Sequence, residues 1–104
     1  MSAPKRIPCV VSGYENCWIE RVNPVSFRLW NEWKKADLDQ TYRLLTELLV
    51  GWNFPQTENP EQLARQPSEG LKALEDLDLH LIPWLSHAIT NSLLEEFSLD
   101  PSLL

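Results

Sequence analysis

Leu38 to Trp52 reads LDQTYRLLTELLVGW, and the interpretation of this stretch decides the fold. Leu38, Tyr42, Leu45, Leu48 or Leu49, and Trp52 recur at i, i+4, i+7, i+10 or i+11, and i+14, the spacing of one face of an α-helix. Asp37 stands at the N-cap position, and Gln40 three residues on completes a capping-box pattern. Gly51 and Pro55 are the stop signals. The pattern predicts a central helix ending near Trp52, around which the other segments pack.

Upstream, Asn23-Pro24 ends one segment and Ser26 is placed to cap a helix over Phe27 to Ala36. Phe27 and Trp30 lie on one side of it, with Leu29, Trp33 and Ala36 alongside, which makes a broad aromatic stripe. Further back, Ile7 to Ser12 and Asn16 to Val22 are β-prone runs separated by Gly-Tyr-Glu, a hairpin signal. Within the second run Cys17, Ile19 and Arg21 alternate against Trp18, Glu20 and Val22. Such a hairpin is marginal alone and needs an apolar support.

Downstream, Asn59-Pro60 carries the signal for a short helix that Pro67 ends near Gln66. Ser68 recaps the chain before Leu71, Leu74 and Leu77 or Leu79, another short amphipathic segment. Ile82, Leu85, Ile89, Leu93 and Phe97 form a last stripe in the segment Leu79 to Phe97, with a break expected near Leu81 and Pro83 in the first turn of a fresh helix. The sequence thus predicts a mainly α fold: one domain over 1–104, with a flexible 1–6, a β-hairpin over 7–22, a body of four to five helices over 26–97 and a tail over 98–104.

The 104 residues are 43% hydrophobic and 23% charged, a globular balance, and five Trp, three Phe and two Tyr supply large rings for a core. No apolar run reaches transmembrane length and no secretory signal pattern is present, so a cytoplasmic protein without membrane association is expected. Cys9 and Cys17 then read as free thiols rather than a disulfide. The net charge of −6 is uneven: residues 1–35 hold six basic and three acidic side chains, the remainder three basic and twelve acidic. Phosphate backbones would repel the acidic part, so the expected partner is protein and not nucleic acid.

No catalytic or metal-binding constellation emerges. His80 and His87 are too far apart along a helix to share one ion, and Asp37/Asp39 and Glu75/Asp76/Asp78 lack the Gly and terminal Glu of a calcium loop. Phosphate-loop, zincin and nucleophile-elbow motifs do not occur, so a protein that is not an enzyme and needs no cofactor is expected. What remains is surface chemistry. Trp52 and Phe54 either cap the core or stand out as interface anchors. Trp84 falls outside the Ile82/Leu85/Ile89 stripe and is the better anchor, and Trp30 and Trp33 complete the candidate partner-binding set.

The order of features resembles a family. A strand ending in a basic residue precedes Asn-Pro-Val-Ser-Phe, then Leu-Leu-Val-Gly-Trp-Asn-Phe, then Thr57-x-Asn59-Pro60-Glu61-x-Leu63, Gln66-Pro67 and a terminal helix. Over about residues 16–95 this is similar to the small tail assembly chaperones of long-tailed bacteriophages and prophages, although Gln66 stands where that family carries Leu. The resemblance implies a non-catalytic, self-associating helper in virion morphogenesis that binds a helical tape-measure client. Two further readings compete with it. One is a small acidic inhibitor mimicking nucleic acid through a ribbon of carboxylates at positions 37, 39, 75, 76, 78, 95 and 96. The other is a structural head-tail or tail-completion subunit.

Overall fold

The computed structural model describes residues 3–98. The chain forms β1 (Lys5–Pro8), β2 (Trp18–Arg21), α1 (Phe27–Lys35), α2 (Leu38–Leu48) and β3 (Leu49–Trp52). A 3₁₀ turn (Pro67–Glu69), α3 (Lys72–Glu75) and α4 (Leu81–Ser98) follow. The fold is therefore mixed α/β, which corrects the mainly α expectation. The three strands make one antiparallel sheet in the order β1-β2-β3, and the expected central helix stops at Leu48.

The error arises where helix and strand periods coincide. Leu48, Leu49 and Trp52 are inward-facing under either reading, so the apolar pattern alone does not separate them. Val50 and Gly51 are poor helix formers, and the backbone turns extended at Leu49, with φ −90° and ψ 133°. The freed Leu48 carbonyl accepts the Val22 amide at 2.8 Å, and the following residues pair with β2. A bulge completes the fit: Glu20 pairs with Gly51 and Arg21 with Leu49, leaving Val50 as the extra residue. Without it Leu49 and Trp52, three apart, would point to opposite faces. With it both are buried and Val50 is exposed.

The hairpin is present with a longer connection than Gly-Tyr-Glu. Its strands pair from Lys5↔Arg21 to Pro8↔Trp18, so Lys5 and Arg6 belong to a strand instead of a loose N-terminus. The link folds through turns closed by Tyr14 N–H to Val11 O and Cys17 N–H to Tyr14 O, both 2.9 Å. Gly13 sits in the first turn at φ +92°, a region that favours glycine. Both sheet edges are modified. At β1 the hydrogen-bond alternation turns Pro8, which has no N–H, outward. At β3 the Gln66 side-chain oxygen accepts the Trp52 amide at 3.2 Å.

The helix starts follow the sequence. Ser26 Oγ accepts from the Leu29 amide at 3.2 Å, and Asp37 Oδ1 accepts from the Gln40 amide at 2.9 Å. Pro83 lies in the first turn of α4, where its missing N–H costs nothing. Residues 59–66 form no helix. The backbone groups that a helix there would use are taken by the chain folding back: Ala64 N–H donates to Phe54 O at 2.8 Å, and Gln62 O accepts from Gln56 N–H at 2.9 Å. The tail expected over 98–104 lies, beyond the end of α4, outside the described residues.

The core gathers Ile19, Leu49 and Trp52 from the sheet with Leu44, Leu45 and Leu48 of α2 and Leu81, Leu85, Ile89 and Leu93 of α4. In its midst lies Arg21, whose side chain is 0% exposed. Its Nε donates to Ser92 Oγ at 2.6 Å, Nη1 donates to Val22 O at 2.8 Å, and Nη2 lies 3.0 Å from Glu96 Oε2. Ser92 and Glu96 are one helical turn apart, so the cation fixes the rotation of α4 against β2. Glu96→Ala would strand that buried charge and is expected to cost about 3 kcal/mol in urea unfolding, the low end for such losses because Glu96 is partly exposed. The paired Arg21→Met/Glu96→Gln variant should lose much less; equal losses would mean that burial of the charge is irrelevant.

Candidate partner-binding surface

Capping at Ser26 makes Phe27 the first helical residue, and its ring points to solvent at 67% exposure. One turn later Trp30 is half-buried, stacked on Phe97 of α4 with centroids 6.1 Å apart and planes at 26°. Lys34 Nζ lies 5.6 Å from the Trp30 ring centroid. A further turn brings Trp33 inside, where its indole N–H donates to Thr90 Oγ1 at 2.9 Å and ties α1 to α4. Toward the Phe27 end an open groove of about 340 Å³ lies between the helices, lined by Pro24, Val25, Phe27, Trp30, Leu93 and Phe97. Glu96 also borders it, so the carboxylate that holds Arg21 stands at the groove's edge.

Of the five candidate anchors, the structure leaves only Trp30 and Trp84 partly accessible. Trp33, Trp52 and Phe54 are buried and present no surface to a partner. The Trp52 indole N–H donates to Arg65 O at 2.8 Å. Phe54 is the hub of a ring cluster: Tyr14 and Trp84 meet it edge-on at 6.2 and 6.4 Å, and Trp52 is tilted against it at 5.8 Å. Trp52 and Phe54 are two apart in extended chain, so both face the same side, an outcome that a helical reading does not give. Trp84 is half-buried against Phe54 and separate from the α1/α4 groove.

Phe27 and Phe97 are the exposed rings that the sequence reading placed on core stripes. For Phe27 a signal existed in its position directly after the cap, at the very start of the helix. For Phe97 the deciding fact is the rotation of α4, which buries Leu81, Leu85, Ile89 and Leu93 and leaves Phe97 at 44% exposure.

The polar clusters serve local structure. Asp78 Oδ1 accepts from the His80 amide at 2.9 Å and lies 3.0 Å from His80 Nδ1, and Oδ2 accepts the Tyr14 hydroxyl at 3.0 Å. The exposed His87 stands on α4, away from this pair. Asp76 holds Arg65 at 3.2 Å, Asp37 caps α2 and Glu96 holds Arg21. Among the described residues no group of three or more His, Cys, Asp or Glu side chains is placed to hold a metal ion. No helix among them is long and apolar enough to cross a membrane.

The chain matches no family model, no curated protein and no solved structure. Its site is therefore read from its own geometry.

The His80 amide, the His80 ring and the Tyr14 hydroxyl, in that order, hold the Asp78 carboxyl below its ordinary range. A folded-state pKa that is lowered adds stability above the unfolded pKa, and that stability is lost as pH falls through the folded value. Thermal melts of wild type and Asp78→Asn should therefore differ most near neutrality and converge on acidification. A gap independent of pH would sink this account.

Proposed function

We propose that the chain is a non-catalytic assembly chaperone that holds an amphipathic helix of its client in the groove between α1 and α4. The observation that carries this reading is the juxtaposition of Phe27, Trp30 and Phe97 around an open apolar groove. Large rings left partly in water cost free energy unless a partner covers them, and contiguous patches of this kind mark interaction sites. An amphipathic helix lays residues at i, i+3 or i+4, and i+7 into such a groove.

The resemblance to small tail assembly chaperones supplies the client class: a long helical tape-measure-type protein, bound in the host cytoplasm before tail assembly. Lacking a client, the protein is expected to self-associate through the same surface. The acidic-inhibitor reading has less support, because Asp37, Asp76, Asp78 and Glu96 are engaged in contacts within the chain.

Co-expression with a tape-measure-type protein from the same genome should raise the client's solubility and yield a co-eluting complex. Phe27→Ala and Trp30→Ala should each weaken that complex by at least about tenfold, the size of a moderate aromatic hot spot. Phe27→Ala should leave the melting temperature of the free protein unchanged, since the ring is exposed. Unaltered client binding by Phe27→Asp would reject the groove as the binding site.

A further inference from the structure

We propose that Cys9 and Cys17 form an oxidation site, a dithiol that a small-molecule disulfide such as oxidised glutathione converts to an intramolecular disulfide in the folded protein. The β1–β2 register, running down to Pro8↔Trp18, places Cys9 next in line opposite Cys17, and Cys9 N–H donates to Cys17 O at 2.9 Å. That bond makes them a hydrogen-bonded antiparallel pair, whose residues share a face with Cα atoms about 5.5 Å apart. That spacing falls inside the roughly 4.4–6.8 Å span that a disulfide bridges. Both side chains pack on the core, Cys9 buried and Cys17 half-buried, and both are free thiols.

Cys17 is the entry point because it is the more accessible of the two. Its thiolate attacks one sulfur of the reagent, the reagent's S–S bond breaks, and one glutathione thiolate leaves and takes up a proton. The Cys9 thiolate then attacks the mixed disulfide at the Cys17 sulfur, forming Cys9–Cys17 and releasing the second glutathione. Two electrons pass to the reagent and the protein loses two hydrogens. Burial pushes both thiols up, so the exchange is slow at neutral pH. Closure pins the connection that carries Gly13 and Tyr14, and through Tyr14 it stiffens contacts with Phe54 and Asp78.

The test equilibrates the full chain with reduced and oxidised glutathione and reads intact mass and melting temperature. The native chain should lose two hydrogens without gaining glutathione. It should close at a ratio about thirtyfold more reducing than the same chain in urea, because a bridge that fits the fold stabilises it to the same degree. The oxidised protein should melt several degrees higher. Cys9→Ser should stop at one glutathione on Cys17. A native chain that remains singly glutathionylated, dimerises through Cys17, or closes no more readily than in urea would overturn the proposal.

Discussion

The organisation of the molecule follows from one buried cation. Arg21 occupies an inward-facing position of β2 with no exposure, and a guanidinium in an apolar core requires acceptors on several sides. Val22 supplies a carbonyl, and α4 supplies Ser92 and Glu96 from successive turns. This requirement orients α4 as strictly as its apolar residues do. Once Ser92 and Glu96 face β2, Leu81, Leu85 and Ile89 enter the core while Phe97 meets Trp30 of α1. The groove is thus a consequence of how the sheet's charge is neutralised.

A second set of contacts keeps the other end of the molecule rigid. Phe54 collects Tyr14, Trp52 and Trp84, so that the hairpin link, β3 and the start of α4 converge on one ring. The polar atoms of those aromatics are satisfied at the margin, Tyr14 by Asp78 and Trp52 by the Arg65 carbonyl. The two ends divide the aromatic residues by role. One cluster is closed around Phe54, and the other lies open between α1 and α4.

Features set by local chemistry were legible in the sequence. The caps at Ser26 and Asp37, the place of Pro83 and the hairpin all depend on residues within a few positions of one another. The third strand was not legible, because LLVGW satisfies both periods and the choice was made by the unpaired edge of β2. The place of the exposed rings was not legible. The sequence pointed to tryptophan-rich helices, yet which rings remain exposed depends on helix rotation and on the bulge at Val50. Trp33, Trp52 and Phe54 went inward, Phe27 and Phe97 outward, and nothing in residue type separates the two groups. Arg21 alternated with Ile19 and Cys17 in the sequence, and that alternation was the sign of its burial.

Pro8 and Gln66 carry a consequence for crowding. A small sheet with bare margins is a template on which further strands stack, and growing stacks become fibres. Here one margin presents a ring without a hydrogen to donate, and the other is partly occupied by an amide side chain of the same chain. Copies at high concentration would therefore meet through side chains and separate again, without knitting their backbones together.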